Sequence, residues 1–351
     1  MLKPLLQQLL DGQPLTPDQA TTAFTTIMEG DADPAQTGAL LALIQSRGAT
    51  IDELVGAAKV MRAKAAKVQA PPHLTLIDTC GTGGDHASTF NISTAAALVA
   101  ASVGRTHNIA VAKHGNKSVT SNSGSSQVLE ALGVNLHAKP EKLTKCLDEA
   151  GICFCFAPAH HPAMKHAAPV RAALGFRTLF NLVGPLTNPA GANRQLLGVF
   201  APHLTETLAQ VLKQLGADAA MVVHGTIPDP DGKHIDALDE LSTAGPSQIT
   251  ALTNHALSTT TIDPAEIGLP YSHPAALHAD SPQQSADIIK QILAGEPGPP
   301  RDIVALNAAA ALTVAGLTDD IPAALPLVFE ALDSGAAQTT LSTLAQLSHD
   351  D

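Results

Sequence analysis

Apolar runs of four to six residues alternate with longer amphipathic stretches through most of this chain. The runs have the length and boundaries of buried β-strands, whereas the stretches between them have helical periodicity. Such alternation is typical of βαβ units, so the sequence predicts an α/β domain with a mostly parallel central sheet. The Gly- and Pro-rich residues 184–191 are predicted to form a loop. The predicted strands are residues 74–79, 109–112, 152–157, 196–200, 219–223 and about 247–252, and the predicted helices are residues 92–104, 126–132, 141–150 and 204–216, with three more beginning near 281, 301 and 321.

The first 70 residues show helical periodicity and almost no strand pattern. Thr16 with Gln19, and again Thr50 with Glu53, have the spacing of a helix N-terminal capping box. A Pro-rich linker then marks a change of composition. The sequence therefore predicts two domains, a small helical one at residues 1–70 and a larger α/β one at residues 71–351.

Composition and charge restrict the possible partners. The 351 residues include 20 basic and 32 acidic ones, which gives a formal net charge of −12. Nucleic acids and anionic membranes bind clustered Lys and Arg, so neither is expected as a partner. The apolar stretch at residues 95–103 is too short to cross a bilayer, and the N-terminus lacks the pattern of a signal peptide. A soluble, cytoplasmic protein is expected.

The four cysteines have neither C-x-x-C spacing nor the arrangement of a disulfide framework. Cys153 and Cys155 alternate within a predicted strand, so both side chains should point to the same face of the sheet. Ordinary buried thiols in a reducing compartment are therefore expected.

Two loops have the composition of an anion-binding cradle. Gly81-Thr82-Gly83-Gly84-Asp85 follows the first predicted strand, and Lys113-His114-Gly115-Asn116-Lys117-Ser118 follows the second. Glycines let main-chain N–H groups approach an anion closely, and the helix predicted to start near Asn91 would point its positive end at the same place. A Ser/Gly stretch at residues 121–126 and an acidic pair of the kind that holds Mg²⁺, Asp239-Glu240, accompany them. The sequence therefore predicts a site for a phosphorylated substrate.

Further motifs follow these loops in a fixed order along nearly the whole chain. They are Thr89-Phe90-Asn91-Ile92-Ser93-Thr94, Ser123-Gly124-Ser125, Val128-Leu129-Glu130-Ala131-Leu132-Gly133, His161-Pro162-Ala163-Met164-Lys165, Val170-Arg171, Arg177-Thr178-Leu179-Phe180-Asn181, residues 184–190, Leu238-Asp239-Glu240, Arg301-Asp302-Ile303-Val304 and Asn307-Ala308-Ala309-Ala310. Together with the two loops, this series resembles the anthranilate phosphoribosyltransferase family. Many motifs in the same order identify a family far more specifically than any single motif does.

The resemblance implies a fold, a reaction and an assembly. A helical N-terminal domain, completed by a segment near residues 165–190, would pack against the α/β domain, with the active site in the cleft between them. The reaction would join anthranilate to 5-phosphoribosyl diphosphate (PRPP), giving N-(5-phosphoribosyl)anthranilate and diphosphate in tryptophan biosynthesis. The resemblance also implies Mg²⁺ as the cofactor and a homodimer.

The same resemblance implies which residues form the site. Asp239 and Glu240 would hold Mg²⁺ together with the Ser93 hydroxyl. Arg171 would bind the anthranilate carboxylate, because a guanidinium suits that planar anion. No residue is assigned as a general base. The other implied substrate-binding positions are Gly81, Gly84, Asp85, Thr89, Asn91, Ile92, Ser93 and Thr94 near the diphosphate and ribose, Lys113, Lys117, Ser118, Ser121 and Ser125 near phosphate groups, and His114, Gly115 and Asn116 near anthranilate.

Three features depart from the family pattern. His86-Ala87-Ser88 replaces a small Gly-containing turn, and Gln127 stands where Asp is common. Residues 226–237 are longer than the usual connection before the acidic pair. Their core, Pro228-Asp229-Pro230-Asp231-Gly232, has turn chemistry, so a surface excursion is predicted there.

Two alternative functions remain at this point. One is a nucleoside phosphorylase of the same fold group, although Arg171 and the loop at residues 113–116 favour anthranilate. The other is a non-enzymatic, nucleic-acid-binding relative, which the net charge of −12 opposes. His160, His161 and His166 match no zinc-binding spacing, and the first glycine loop lacks the spacings that bind NAD or ATP.

Overall fold

The structure, a computed structural model, describes residues 2–85, 87–117, 123–228 and 235–349. It begins with the helices α1 (Lys3–Leu10), α2 (Pro17–Glu29), α3 (Pro34–Arg47) and α4 (Ile51–Lys64). Both predicted capping boxes are present. The Gln19 N–H donates to Thr16 Oγ1 and the Glu53 N–H donates to Thr50 Oγ1, each at 3.3 Å. The local sequence therefore sets the points at which α2 and α4 begin.

In the described residues, eight strands form one sheet, and the predicted mostly parallel α/β fold is confirmed. Their spatial order is β3-β2-β1-β4-β5-β7-β8, with β6 paired to β5. The first five strands pair in parallel, and the last three pair antiparallel. The strands are β1 (Thr75–Gly81), β2 (Ile109–Gly115), β3 (Ile152–Phe156), β4 (Arg194–Gly198), β5 (Ala219–Pro228), β6 (Ile235–Leu238), β7 (Ser247–Thr253) and β8 (Ala256–Ile262).

Helices pack on both faces of the sheet. Successive residues of a strand point to opposite faces, so Leu196 packs in one apolar cluster and Leu197 in the other. The first cluster includes α5 (Ile92–Gly104) and α13 (Pro299–Ala315), and the second includes α2, α4 and α11 (His203–Gln214). The remaining helices are α5 (Ile92–Gly104), α6 (Ser125–Ala131), α7 (Pro140–Glu149), α8 (Ala157–His160), α9 (Ala168–Leu174), α10 (Phe180–Val183), α11 (His203–Gln214), α12 (Pro282–Leu293), α13 (Pro299–Ala315), α14 (Ile321–Asp333) and α15 (Ala336–His349).

A later segment packs on the N-terminal helices. The ring of Phe180 in α10 meets the ring of Phe24 in α2 edge-on, with centroids 5.7 Å apart. Ala167 and Leu186 belong to the same apolar cluster as α2 and α4. The segment near residues 165–190 therefore contacts the helical region, while its assignment to the helical domain and the domain boundary at residue 70 stay predictions.

The strand order places a crevice at the carboxyl end of β1. The chain passes from β1 to β2 and β3 on one side and then returns to β4 on the other side of β1. At such a switch point the connections leave in opposite directions and open a gap beyond the strand ends. β1 ends at Gly81, β2 at Gly115 and β4 at Gly198, so the two predicted glycine-containing loops begin at this gap.

Two predicted loops contain more regular structure than expected. Residues 184–191 begin with a 3₁₀ turn at Gly184–Leu186, so the loop prediction was wrong for those three residues. The segment at residues 226–237 is a β-hairpin along its described part, because β5 continues to Pro228 and pairs with β6. Residues 229–234, which include most of the predicted turn, lie outside the described residues.

All four cysteines are free and buried. The Sγ atoms of Cys153 and Cys155 lie 3.7 Å apart, which confirms that the two side chains share a face of β3. Within the described part of the chain, no helix combines the length and apolar character needed to cross a membrane.

Candidate active site

A cleft of about 700 Å³ opens at the carboxyl ends of β1 and β2. It brings together residues from segments that are far apart in the sequence. Ser118 and Ser121, also predicted for the site, lie outside the described residues. The predicted site residues that line the cleft are Gly81, Gly84, Asp85, Thr89, Asn91, Ser93, Lys113, His114, Gly115, Asn116, Lys117, Ser125, Arg171, Asp239 and Glu240.

Two other predicted residues, Ile92 and Thr94, are not among those that line the cleft. Ile92 is fully buried in the apolar cluster between α5 and the sheet. The Thr94 side chain is also buried, and the Ile92 and Thr94 N–H groups donate to the carbonyl oxygens of Phe90 and Asn91. Their described contacts are those of residues that shape the beginning of α5.

The first glycine loop has the backbone geometry that its composition predicted. Gly83 and Gly84 have φ values of +64° and +86°, a left-handed conformation that glycine adopts without steric cost. The Gly83 N–H donates to Asp239 Oδ2 at 2.7 Å. This amide therefore orients a carboxylate of the acidic pair in the present structure.

Three carboxylates form one group beside this loop. Ligand oxygens of Asp85, Asp239 and Glu240 lie within 4.8 Å of one another. Burial, and then the nearby charge of Asp85, raise the pKa of Asp239 to about 7. Burial, and then the charges of Asp239 and Asp85, raise the pKa of Glu240 well above its ordinary value. Like charges held this close destabilise the ionised forms, so the group has the character of a divalent-cation site.

A buried lysine lies next to the carboxylates. Lys113 is 2% exposed, and its Nζ donates to the Thr79 carbonyl oxygen and, at 3.3 Å, to Ser93 Oγ. Burial lowers the pKa of Lys113, and the charges of Asp78, Glu240 and Asp239 oppose that shift. The sequence predicted Lys113 as a phosphate contact. Its position also places a positive charge close to Ser93 at the start of α5.

Two histidines form a buried pair on the cleft wall. The Nε2 atoms of His114 and His161 are 3.2 Å apart, so one ring donates and the other accepts. Burial, followed by the His161 and His160 charges, lowers the pKa of His114 to about 3. Burial, followed by the His160 and Lys67 charges, lowers the pKa of His161 to about 4. The pair is therefore neutral near pH 7.

This pair should make the fold sensitive to acid. Unfolded imidazoles bind protons below pH ~6.5, whereas these folded ones do so only near 3 and 4. The contribution of the pair to the free energy of unfolding is therefore complete above pH ~6.5. It falls as the pH drops, by up to ~1.4 kcal/mol per pH unit for each histidine. His161→Gln should make the fall shallower by up to ~1.4 kcal/mol per pH unit between pH ~6 and ~4.

Urea unfolding of the wild type and of His161→Gln at several pH values measures this difference. His203→Gln is the control, because His203 is exposed at the start of α11. Its pH slope should match the wild type. Equal slopes for His161→Gln and the wild type would contradict the neutral pair.

Arg171 lies on the wall of the cleft formed by α9 and α10. Its guanidinium is 5.4 Å from the Phe180 ring centroid, and its Nη2 donates to Asn181 Oδ1 at 3.4 Å. Burial lowers the pKa of Arg171, although a guanidinium stays charged near neutral pH. The ring and the amide fix the orientation of the cation, and the cleft leaves it accessible to a planar anion.

Asn91 connects the Ser/Gly stretch to the rest of the domain. Its Oδ1 accepts from Ser123 Oγ at 2.7 Å and from Ser285 Oγ at 3.0 Å. Gln127, one of the departures from the family pattern, accepts the Gly124 N–H at 3.1 Å and thus caps α6. An uncharged amide can therefore close this loop without the Asp that is common there.

Arg177 belongs to a motif of the resemblance but not to the predicted site. Its Nη2 donates to the Gly84 carbonyl oxygen at 2.7 Å, and its guanidinium is 4.7 Å from the Phe200 ring centroid. The sequence signal was the motif at residues 177–181. Contact with Gly84, 93 residues earlier, appears only in the fold.

Comparisons with known proteins match both the helical region and the α/β region of the chain. Residues 3–65 match the glycosyl transferase family helical bundle domain, and residues 73–338 match the glycosyl transferase family a/b domain. The anthranilate phosphoribosyltransferase of Symbiobacterium thermophilum is 44% identical over 348 residues, which cover 99% of this chain and 98% of the relative. This chain belongs to the anthranilate phosphoribosyltransferase family. The family member of Phenylobacterium zucineum is 47% identical over 345 residues, which cover 98% of each chain.

Solved structures of anthranilate phosphoribosyltransferases share the fold. The crystal structure of the Thermus thermophilus protein has a TM-score of 0.89 and 38% identity, covering 98% of this chain and 99% of that one. The Saccharomyces cerevisiae protein in complex with PRPP and Mg has a TM-score of 0.85 and 24% identity, covering 99% and 97%. Family membership favours the anthranilate interpretation of the motifs over the nucleoside phosphorylase alternative.

Proposed function

We propose that this protein transfers the 5-phosphoribosyl group of PRPP to the amine of anthranilate. The products are N-(5-phosphoribosyl)anthranilate and diphosphate, which places the reaction in tryptophan biosynthesis. The observation that carries the proposal is the convergence of a glycine loop, three carboxylates and Arg171 in one cleft. Relatives that are 44% and 47% identical over almost the whole chain are anthranilate phosphoribosyltransferases.

The clustered carboxylates are the proposed Mg²⁺ site. Asp239 and Glu240 supply carboxylate oxygens, the ligands that this cation prefers, Asp85 lies beside them, and Ser93 is the proposed hydroxyl ligand. Burial, together with the mutual repulsion of the carboxylates, raises the pKa of Asp239 and Glu240 in the protein alone, which fits a site completed by a cation. When bound, Mg²⁺ neutralises the negative charge that develops on the departing diphosphate.

The chain itself preorganises the charges around the leaving group. The Lys113 ammonium is held by the Thr79 carbonyl and by Ser93, so its charge is already in place before the substrate binds. The Gly83 N–H orients Asp239 in the same way. Charges and dipoles that need no reorganisation stabilise developing charge more effectively than mobile ones. Asp85 is the residue proposed to contact the ribose hydroxyls.

The side of the cleft that is proposed to bind anthranilate carries a fixed cation and neutral rings. Arg171 is proposed to bind the anthranilate carboxylate, because a guanidinium can donate two parallel hydrogen bonds to it. His114, held by His161, is proposed to line the anthranilate ring as a neutral side chain. Bringing the amine close to C1 of PRPP removes much of the entropic cost of the encounter.

A fluorescence assay of anthranilate consumption tests the proposed function. The complete mixture contains the protein, anthranilate, PRPP and Mg²⁺, and each component is omitted in turn. We expect loss of anthranilate fluorescence only in the complete mixture. Consumption without PRPP, or none with all components and folded protein, would refute the proposed reaction.

Residues 229–234, which join β5 to β6 before the acidic pair, should be dispensable for activity. Pro228 pairs with Ile235, so an Asn-Gly turn replacing residues 229–234 can join β5 and β6 directly. Loop closure changes little in free energy over this length, so the melting temperature should stay close to that of the wild type. The Mg²⁺ concentration for half-maximal turnover should also be unchanged. A folded variant that needs far more Mg²⁺ would show that the hairpin positions Asp239 and Glu240.

Two further properties belong to the proposal. Four free, buried cysteines are consistent with a reducing compartment, which supports a cytoplasmic location.

A homodimer is proposed from the family resemblance, and Leu10 of α1, 64% exposed, is a candidate contact for the second copy. Light scattering during size-exclusion chromatography would measure the mass, and a mass of one chain would contradict the homodimer.

A further inference from the structure

The acidic pair is followed directly by a residue whose backbone is held from a distant helix. Asn307 of α13 accepts the Leu241 N–H at Oδ1 (3.0 Å) and donates from Nδ2 to the Leu241 carbonyl oxygen (2.9 Å). The same amide nitrogen donates to the Ile303 carbonyl oxygen at 2.9 Å. Asn307 is 1% exposed, so these bonds form away from solvent. One side chain thus satisfies both backbone groups of the residue after Glu240.

Other contacts leave the acidic segment little freedom to shift. A Cβ atom at Gly198, the end of β4, would overlap the carbonyl oxygen of Asp239. The absence of a side chain therefore lets the segment lie directly against the strand end. On its other end, the Ser242 N–H donates to Ser247 Oγ at 2.9 Å. Asn307 supplies the contact from the helix layer between these two points.

The contacts at position 307 require an amide side chain. Asn is a poorer helix former than Ala or Leu, and a buried amide is costly unless its hydrogen bonds are made. Both N–H donors and the oxygen of Asn307 are engaged here. Leu would leave the Leu241 N–H and carbonyl unpaired, and ionised Asp would lack the donor. Asn307 also lines a small cavity with Ser93, Asp239 and Glu240.

We infer that Asn307 is a positioning residue that holds Asp239 and Glu240 in the geometry required to bind the divalent cation. The inference rests on the cation site of the proposed function. It assigns to α13 a role at the active site. The Asn307 side chain contacts the backbone of Leu241, the residue after Glu240, and does not contact a substrate.

We would test this role by titrating the purified protein with Mn²⁺ alone. The EPR signal of the free ion measures how much Mn²⁺ is bound. Residues that orient metal ligands typically change metal affinity by ~10–100-fold, so we expect Asn307→Leu to raise the Kd for Mn²⁺ by that factor. Asn307→Asp keeps the size and the acceptor and should give a smaller increase. In turnover assays, the Mg²⁺ requirement should rise while the KM for anthranilate changes little.

Thr313→Val is the matched control. Thr313 lies on the same helix, and its hydroxyl donates to the Ala309 carbonyl oxygen at 3.0 Å, away from the acidic segment. Its Mn²⁺ affinity should equal that of the wild type, even if the variant melts at a lower temperature. An equal loss of Mn²⁺ affinity in Thr313→Val and Asn307→Leu would mean that general destabilisation explains the effect, and would overturn the inference.

The remaining outcomes separate this inference from the proposed function. Wild-type Mn²⁺ binding with unchanged affinity in both Asn307 variants would overturn the positioning role alone. Absence of Mn²⁺ binding by the wild type would overturn the cation site and the inference with it. Thermal melting is measured first, and if Asn307→Leu does not fold, Asn307→Asp decides. If neither folds, Asn307 is a structural residue and the inference fails.

Discussion

Exchanging Asp239 for Asn and Glu240 for Gln together should lower kcat by at least ~10²-fold, because transition-state charge stabilisation is lost. The two amides keep the volume of the carboxylates but remove the charge that a divalent cation requires. Steady-state turnover as a function of Mg²⁺ concentration measures the effect. Circular dichroism and thermal melting establish whether the variant is folded.

The chain offers a close control for this double substitution. Asp148 and Glu149 form the same dipeptide at the end of α7, and both are exposed. Asp148→Asn with Glu149→Gln makes the same chemical change far from the cleft and should leave kcat unchanged. Full activity of the Asp239/Glu240 variant, or full wild-type activity in EDTA, would exclude the carboxylates as a cation site for catalysis.

Arg171→Ala should raise the KM for anthranilate by ~10–100-fold, which corresponds to the ~1.5–3 kcal/mol of a hydrogen bond to a charged group. The KM for PRPP should change little, because only anthranilate is proposed to place a carboxylate against this guanidinium. Arg171→Lys should recover part of the affinity, since it restores the charge without the planar fork. Initial rates with each substrate varied separately measure both constants.

Arg105→Ala serves as the control for the arginine. Arg105 is exposed in the turn after α5 and is not among the residues of the cleft. Both KM values should remain those of the wild type. A parallel rise in the two KM values of Arg171→Ala would indicate that the substitution disturbs the whole cleft, and the assignment of Arg171 to anthranilate would be wrong.

The hydrophobic pattern predicts the fold best where burial is complete. β3 is buried along its whole length, and its apolar run is evident in the sequence. β8 has the sequence ALSTTTI and is exposed along most of its length, so no apolar run indicates it. α15 carries its leucines among Ser, Thr, Gln and Ala, which weakens the contrast between its faces. Elements with little apolar contrast are therefore the ones that the sequence does not predict.

The site, like the fold, can be predicted from the sequence only where its geometry depends on neighbouring residues. The glycine loop was predictable because its φ values depend on residues adjacent in sequence. The His114–His161 contact joins residues 47 positions apart, and the Asn307–Leu241 contact joins residues 66 apart. No local pattern specifies such contacts, because they depend on how the strands and helices are arranged in space. The motif series placed these residues in order but did not show which of them meet.

The burial of every cysteine makes this protein well suited to site-specific labelling. None of the four thiols is exposed, so a cysteine introduced on the surface would react with a maleimide reagent ahead of the native ones. A pair of labels, one on α3 and one on α12, would report the distance between the N-terminal helices and the α/β region by energy transfer. Such a pair would show, molecule by molecule, whether the cleft narrows when substrates are added.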